Sequence, residues 1–336
     1  MNRKLRWGIL STAWINVALV PAIQRSERSD LVAVGSRNLK KAQLYAQENN
    51  IPDAYGSYES LLDEAQVDVI YNPLPNALHC EWTVKAAQSG KHVLCEKPLV
   101  IGLSELRAVE TAARDNNVSI VEAYAYLHHP QLQCIKSLIG SDVLGDLYHF
   151  TGWDTFPLPE SNYNYRYDLA MGGGSLWDIG VYPVSLAIVL NEAEPPTDVW
   201  ANHNKGETGV DLAFFGQIRF SNGLVAHILS SFRCPERRGA RIVGRKGALT
   251  VTDHLTGQEV PGEPPGEGAL VLTTTNGNEN TIVTPAVDAY QMEVEAMEAC
   301  VLDGIATEVP LSLSRDILRT VLALHHSARS GELVRL

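Results

Sequence analysis

The chain has 336 residues, of which 45% are hydrophobic and 20% are charged. That much apolar material exceeds what one typical domain buries, so we expect two domains. Acidic residues outnumber basic ones by 39 to 27, and the net charge of -12 excludes broad binding to nucleic acid or to an anionic membrane.

Neither a membrane span nor a secretory signal is expected. No run approaches the ~18 apolar residues of a membrane span, and the basic start Met1–Arg6 leads straight into a strand-like segment. The five cysteines are odd in number, widely spaced and without a C-x-x-C pair, which argues against a disulfide framework or a zinc site. No H-x-x-x-H pattern suggests another metal. We expect a cytoplasmic protein without a metal.

The first half alternates short apolar runs with amphipathic segments, which is typical of a doubly wound parallel sheet. Helical periodicity is clearest in Leu39–Gln47 and Leu103–Asn116. The predicted strands are Leu5–Leu10, Leu31–Gly35, Val67–Asn72, His92–Glu96 and Val118–Glu122. We therefore predict an α/β domain with a doubly wound, Rossmann-type parallel sheet over residues 1–123.

After Tyr124 longer β-like runs follow without regular helices between them. They predict an α+β domain over 124–336 with a large, mostly antiparallel open sheet. The predicted strands are Leu147–Phe156, Val210–Phe220, Leu224–Phe232 and Ala240–Val251, with a hairpin turn at Ser221–Gly223. Gly257–Gly268 is predicted to be a loop, and Ala286–Cys300 and Ser312–Ser330 to be helices.

The first strand is followed by a turn and a helix, where a Rossmann fold places a pyrophosphate on the helix N-terminus. Small residues and Asn16 replace the glycines of the G-x-G-x-x-G fingerprint, so an ordinary strand-to-helix connection is the alternative. The candidate cofactor-binding residues are Ser11, Thr12, Ala13, Trp14 and Ile15.

The end of the second strand favours NADP over NAD. NAD enzymes usually carry a carboxylate there for the ribose hydroxyls, whereas this chain has Ser36 and Arg37, with Lys41 one turn later. A serine hydroxyl and two cations suit a 2′-phosphate. In the alternative interpretation Ser36 and Asn38 cap the next helix, Arg37 is solvated, and NAD serves equally.

The strand His92–Glu96 runs into Lys97 and Pro98, at the carboxyl edge where doubly wound sheets bind ligands. An ammonium group there can stabilise a developing alkoxide while a hydride moves. An exposed lysine before a proline turn is the structural alternative.

In these motifs and their spacing the chain resembles the Gfo/Idh/MocA family, named for glucose-fructose oxidoreductase and inositol dehydrogenase. Glu96–Pro98 matches its E-K-P motif, Asn72–His79 its loop after the fourth strand, and Asp178–Pro183 its D-x-G-x-H/Y segment. Trp7–Ala13 and Glu122–Tyr124 look most like the branch with dihydrodiol dehydrogenases and NADP-dependent xylose or glucose dehydrogenases.

The resemblance implies that the first domain binds NAD(P), that the second binds substrate and mediates oligomerisation, and that particular residues have assigned roles. Lys97, Tyr182 and Asp178 would be catalytic, and a loop near the nicotinamide ribose would add cofactor contacts. The members of this second cofactor set are Asn72, Pro73, Leu74, Asn76, His79, Glu96 and Lys97. The implied substrate is a sugar, polyol or diol, with pyranoses leading.

The expected mechanism begins with a proton exchanged between Tyr182 and the substrate oxygen, while Lys97 lowers the pKa of the phenol or contacts that oxygen. Asp178 lies four residues before Tyr182, so both share a face if Ser175–Val184 is helical. The predicted substrate-binding residues are Tyr124, Tyr126, Arg166, Asp178 and Tyr182, although a packing role is open for Tyr126 and an ordinary surface loop for Arg166.

Three functional classes follow from these residues. The first is an NADP-dependent sugar, polyol or diol dehydrogenase or reductase, supported by Lys97 and Tyr182 together. The second is a glycoside hydrolase that retains a nicotinamide cofactor, and the third is a non-catalytic NADP-binding sensor. An alternating sheet with one apolar face predicts a homodimer or homotetramer formed through that sheet.

Overall fold

The computed structural model of the chain describes residues 3–159, 164–191, 194–252 and 267–336. The chain divides into two compact units. The first comprises Met1–His128 and Asp288–Ser314, and the second comprises His129–Val287 and Arg315–Leu336. The sequence predicted two continuous domains meeting at 123/124, so the segment Asp288–Ser314 is the main departure from that division.

The first unit contains a six-stranded parallel sheet. Its strands are β1 (Leu5–Leu10), β2 (Ser29–Gly35), β3 (Asp53–Tyr55), β4 (Val69–Asn72), β5 (His92–Glu96) and β6 (Ile120–Ala123). Its first helices are α1 (Asn16–Arg25), α2 (Leu39–Glu48), α3 (Tyr58–Glu64), α4 (Asn76–Gln88) and α5 (Leu103–Asn116). The strand order is β3-β2-β1-β4-β5-β6, which is that of a Rossmann fold, as predicted.

The buried sheet explains which strands the sequence revealed. β1 and β5 have the predicted bounds because each is a short apolar run buried between helices. β3 was not predicted, since three residues at the sheet edge give no periodicity. The order β4-β5-β6 sets the carboxyl ends of three strands side by side, and Lys97 follows the middle one.

The second unit contains a nine-stranded sheet. Its strands are β7 (Leu147–Thr155), β8 (Pro196–Lys205), β9 (Asp211–Phe220), β10 (Val225–Ser231), β11 (Arg237–Gly244), β12 (Gly247–Thr252), β13 (Gly268–Thr274), β14 (Glu279–Thr284) and β15 (Val334–Arg335). The order is β14-β13-β12-β11-β7-β10-β9-β8-β15. Only β7 and β10 pair in parallel among these described strands, so the expected mostly antiparallel sheet is confirmed.

Two expectations for this unit were wrong. Regular helices do occur after Tyr124: α6 (Pro130–Gly140) was not predicted, whereas α7 (Val181–Val189) overlaps the segment Ser175–Val184 that was expected to be helical. The predicted single strand Ala240–Val251 is two strands, β11 and β12, joined by a tight turn. The glycines that flank this turn allow close backbone approach, because a Cβ on Gly244 would lie 2.3 Å from the carbonyl oxygen of Leu144.

Other expectations fared differently. The turn at Ser221–Gly223 is confirmed, with Gly223 at φ 91°. The predicted loop falls largely on 257–266, which lie outside the described residues, and Gly268 opens β13. The last helices are α8 (Ala289–Asp303) and α9 (Leu311–Ser330), close to their predicted bounds.

Polar contacts hold α8 in the first unit. Asp288 caps the helix by accepting hydrogen bonds from the backbone of Tyr290 and Gln291, and it also pairs with Arg25 of α1. At the other end, Arg28 pairs with both carboxylate oxygens of Asp303, at 2.8 and 2.9 Å. A helix near the end of the chain therefore belongs to the same unit as the first strands.

The nine-stranded sheet has one face covered by helices of its own unit. Gly152 of β7 allows α7 to approach, since a Cβ there would lie 2.7 Å from Pro183, and Gly216 of β9 does the same for Leu324 of α9. The strand pairing puts Trp200, Gln217 and His227 in one row of the other face. In the described part of the chain, no helix is both long and apolar enough to cross a membrane.

Candidate active site

The turn after β1 has a left-handed backbone at Ser11, with φ 84°. Asn16, the first residue of α1, is buried, and its side-chain amide donates a hydrogen bond to the Ser11 carbonyl at 3.0 Å. The Ser11 N–H in turn donates to the Gly35 carbonyl at 2.8 Å. Asn16 thus stabilises the turn at the position where the fingerprint has its third glycine. The departure from the fingerprint is visible in the sequence, but this compensating bond is not.

The same turn has features that suit a pyrophosphate. The Ser11 hydroxyl oxygen is buried and has no hydrogen-bond partner among the described residues. Thr12, Ala13 and Ile15 are half-buried, and the Trp14 side chain is 71% exposed. An unsatisfied hydroxyl beside a helix N-terminus is chemistry that fits a phosphate oxygen.

The end of β2 combines a helix cap with side chains that could bind a phosphate. Asn38 caps α2 by accepting from the Lys41 backbone at 3.1 Å, and Ser36 is buried. The Arg37 and Lys41 side chains are exposed. Burial raises the pKa of the nearby Tyr58 phenol, and the Arg37 charge acts in the opposite direction. The two predicted cations are therefore accessible at the strand end.

The loop after β4 is tied together from within. Asn72 is buried and donates through its side-chain amide to the His79 carbonyl at 3.2 Å and to the Thr83 hydroxyl at 3.1 Å. Asn76, Pro73 and Leu74 are also buried. These side chains were predicted to contact the cofactor. In the structure they pack within the loop, and the Asn72 amide fixes its shape.

His79 links this loop to the one after β5. Its ring nitrogens contact the backbone carbonyls of Leu74 and Pro98, the latter at 2.7 Å. Burial lowers the pKa of His79 to about 4, against the opposing effect of these two carbonyls, and the Lys97 charge lowers it further. A neutral imidazole has a single N–H, so His79 donates a hydrogen bond to one of these carbonyls and only contacts the other, between the two loops.

Lys97 follows β5 and is half-buried. The residue before it, Glu96, accepts a hydrogen bond from the Tyr71 hydroxyl at 2.7 Å. The residue after Pro98, Leu99, donates its backbone N–H to Glu122 at 2.8 Å. The lysine therefore lies in a loop whose neighbours are bonded to the strands on either side.

In the second unit, Arg166 and Asp178 form a close ion pair. The guanidinium Nε lies 2.6 Å from the carboxylate, and the side chains are 30% and 7% exposed. Burial opposes the charge of Arg166, but Asp178, Tyr165 and Tyr182 outweigh it and raise its pKa. Tyr182 therefore lies within electrostatic range of this pair. Tyr163, three residues before Arg166, lies outside the described residues.

The segment that carries Asp178 and Tyr182 is helical, as predicted, but not one regular α-helix. A π-helical turn, Leu176–Gly180, leads into α7. Asp211 of β9 caps its start by accepting from the Ser175 hydroxyl and the Leu176 backbone, each at 2.8 Å. Asp211 lies over thirty residues away in sequence, so no local pattern predicted this anchor.

Tyr124 and Tyr126, predicted to contact substrate, are both buried. Their rings meet edge to face at a centroid distance of 6.1 Å. The two rings therefore pack against each other, which is the packing alternative open for Tyr126, and substrate contact by either tyrosine stays a prediction.

Comparison with known families agrees with this architecture. A family model described as "Oxidoreductase family, NAD-binding Rossmann fold" matches residues 5–124. A second model, "GFO/IDH/MocA C-terminal domain", matches residues 132–250. The chain belongs to the Gfo/Idh/MocA family of oxidoreductases.

Relatives within the Gfo/Idh/MocA family match over nearly the full chain. A "D-xylose 1-dehydrogenase (NADP(+)) 2" from Haloferax volcanii is 35% identical over 99% of this chain and 100% of its own length. A "Trans-1,2-dihydrobenzene-1,2-diol dehydrogenase" from Xenopus laevis is 29% identical over 94% of this chain and 96% of its own. The predicted branch is confirmed by both names.

A solved structure in the comparison has the same overall fold. The aldose-aldose oxidoreductase of Caulobacter crescentus, complexed with glycerol, superimposes with a TM-score of 0.88 at 25% identity, covering 99% of this chain and 100% of that one. The Gfo/Idh/MocA fold assignment therefore rests on sequence and structure alike.

Proposed function

We propose that the chain is an NADP-dependent oxidoreductase that transfers a hydride between nicotinamide and the hydroxyl or carbonyl of an aldopyranose, polyol or diol. The observation that carries this proposal is the position of Lys97, directly after the middle one of three adjacent strand ends in a Rossmann sheet. The 35% identical xylose dehydrogenase, which uses NADP by name, supports both cofactor and substrate class.

NADP would be held by two groups of residues. The turn Ser11–Ile15, with its unsatisfied Ser11 hydroxyl, would take the pyrophosphate, and Ser36, Arg37 and Lys41 the 2′-phosphate. The loop Asn72–His79, with Glu96 and Lys97, would border the nicotinamide ribose. NAD remains the cofactor alternative, because the exposed cations are suited to a phosphate but do not exclude a ribose.

When bound, the nicotinamide supplies or accepts the hydride. The chain's own residues handle the proton and the charge. Tyr182 would exchange a proton with the substrate oxygen, and the ammonium of Lys97 would favour the alkoxide-like state. Asp178, paired with Arg166, would orient Tyr182, and Arg166 keeps part of its side chain accessible for a sugar hydroxyl.

The test is absorbance at the reduced-nicotinamide band with NADP or NAD and a panel of aldopyranoses, polyols and diols. Lys97→Ala and Tyr182→Phe should each abolish turnover, whereas Tyr148→Phe, at an exposed tyrosine, should not. Silence across the panel despite NADP binding by calorimetry would direct the assignment to a hydrolase that retains its cofactor or to a sensor.

A substitution at Ser36 tests the preference for NADP over NAD. Ser36→Asp introduces a carboxylate at the end of β2 that repels a 2′-phosphate and accepts from ribose hydroxyls. The preference for NADP over NAD should fall by about tenfold or more. An unchanged preference would show that the 2′-phosphate binds elsewhere.

The second unit would also provide the contact for a homodimer or homotetramer. Trp200 and Phe215 lie on neighbouring strands with 44% and 46% of their surface exposed. Burying two aromatic side chains against a second copy is favourable. Light scattering should show an oligomer that Phe215→Glu dissociates, and a concentration-independent wild-type monomer would refute this.

The free cysteines fit the reducing cytoplasm where we expect the enzyme to act.

A further inference from the structure

The loop of Lys97, Pro98 and Leu99 is held at three points by side chains of the first unit. Tyr71 donates to Glu96 at 2.7 Å just before the loop, and His79 contacts the Pro98 carbonyl at 2.7 Å. Glu122 accepts the Leu99 N–H at 2.8 Å. Since Pro98 has no N–H, the Leu99 amide is the first backbone donor after Lys97 by which the loop can be fixed.

The strand register explains why these contacts meet at the lysine. Tyr71 lies on β4 opposite Leu94, and Glu122 lies on β6 opposite Cys95. The loop after β5 is therefore bonded from both neighbouring strands. Of these contacts, that of Glu122 holds a backbone N–H of the loop itself, which restricts the loop directly.

Glu122 is a costly residue to place here. Its surface is only 3% exposed, and a buried carboxyl needs compensation by hydrogen bonds or by an opposite charge. The groups that face it are Glu96 and Lys97 from the end of β5, the Cys95 thiol opposite, and the Ser314 hydroxyl at the start of α9. Burial raises its pKa to about 7, while the contacts from Ser314 and Leu99 act in the opposite direction.

We propose that Glu122 is a positioning residue for Lys97, which it acts on by holding the Leu99 backbone. The inference deepens the proposed function, because it rests on a catalytic role for Lys97. Glu122 touches the loop and not the reacting atoms, so its removal should displace the ammonium group without removing it. The consequence is a loss in turnover with the cofactor and substrate sites intact.

Hydrogen exchange by mass spectrometry on the full chain, without ligand, reads the proposed contact directly. Glu122→Met keeps the side-chain volume but accepts no hydrogen bond, and exchange in the peptide containing Leu99 should accelerate by about tenfold or more. Glu122→Gln should behave like the wild type, since its amide oxygen can accept the same N–H.

Turnover with NADP and D-xylose gives the second readout. Glu122→Met should lower kcat by about tenfold or more and leave KM for D-xylose within about twofold, the split expected when a transition-state interaction is lost. Glu122→Gln should restore kcat. The matched control is Glu105→Ala, which removes a carboxylate acceptor from the Ile101 N–H in the same connection and should leave kcat unchanged.

If the methionine variant does not fold, the smaller Glu122→Ala gives the same test, because it also removes the acceptor of the Leu99 N–H. Exchange at Leu99 should accelerate and kcat should fall as expected for Glu122→Met. Unchanged exchange at Leu99 would overturn the inference, as would a normal kcat for either variant beside an inactive Lys97→Ala. Full turnover by Lys97→Ala would instead remove the proposed role of the lysine itself.

Discussion

Arg166 and Asp178 form an ion pair in which the guanidinium Nε lies 2.6 Å from a nearly buried carboxylate. Removing the arginine leaves that carboxylate without its opposite charge in a poorly solvated place. The pair therefore predicts that the two residues depend on each other for stability as well as for any chemistry at Tyr182.

Arg166→Gln should lower the free energy of unfolding by about 1–3 kcal/mol, less than for a fully buried pair because the Arg166 side chain is 30% exposed. Urea denaturation measures this change. Lys246→Gln breaks the exposed pair with Asp142 and should cost less than about 1 kcal/mol. Equal losses in the two variants would contradict a special role for the Arg166 pair.

Two residues determine the stability of the turn after β1: Ser11, through its left-handed backbone, and Asn16, through its bond to the Ser11 carbonyl. Ser11→Gly removes the strain of a left-handed serine and should raise the free energy of unfolding by about 1 kcal/mol. Asn16→Ala should lower it by about 1–3 kcal/mol, since a buried hydrogen bond is lost.

Calorimetric titration with NADP checks the functional side of the same turn. Asn16→Ala should bind NADP more weakly than the wild type, whereas Ser11→Gly should bind at least as well, because glycine also permits close approach of a phosphate. Tight binding by Asn16→Ala would mean that the turn does not need this bond.

Asp211 predicts a pH dependence of stability. Burial raises its pKa to about 6 against the hydrogen bonds from Leu176 and Ser175. The folded state thus holds a proton that the unfolded state releases near pH 4, and the stability from this group is lost as pH rises through about 6. The loss should approach about 3 kcal/mol.

Thermal or urea unfolding at pH 4.5 and pH 6.5 measures this slope. Asp211→Asn should remove the contribution, because an amide does not titrate in this range. The exposed Asp142→Asn serves as the control and should leave the slope unchanged. A wild-type slope in the Asp211 variant would show that the proton is held elsewhere.

His325 predicts the opposite dependence at lower pH. Its ring stacks near Trp177 and Phe214, with centroid distances of 5.2 and 5.7 Å, and burial lowers its pKa to about 3. The unfolded chain takes up this proton near pH 6.5 and the folded chain does not, so stability falls as pH drops below about 6.5. At pH 5 the loss is about 2 kcal/mol.

His325 and its neighbour His326 allow a controlled test of this acid dependence. His325→Phe retains an aromatic ring in the same packing and should reduce the loss of stability between pH 7 and pH 5. His326→Phe, at the exposed neighbour, should not. If both variants keep the wild-type acid slope, protonation of His325 does not contribute to it.

The sequence predicted the parts of this molecule that depend on short-range patterns. β1, β5 and α5 have their predicted bounds, because apolar runs and helical periodicity are local properties of a buried sheet and its helices. Lys97 was identified because a motif and a strand end coincide. The turn between β11 and β12 was missed because its glycines stand inside a longer β-like run.

The missed functional contacts are those between distant segments. Arg166 and Asp178 were both named, but as separate sugar and tyrosine contacts, since nothing in the sequence indicates that they pair. Asp211 and Glu122 act on segments that are remote along the chain or on a neighbouring strand. Such bonds follow from sheet order and register, which a single sequence does not specify.

The position of α8 has a consequence for how the protein is made. Residues 288–314 belong to the same unit as 1–128, and the cap at Asp288 and the pair of Arg28 with Asp303 join its two segments. A ribosome must therefore synthesise the whole intervening sheet before the nucleotide-binding unit can close. The strands that are made first therefore lack α8 until late in synthesis. A fragment ending at His128 should expose the apolar surface that α8 covers and should depend on chaperones to stay in solution.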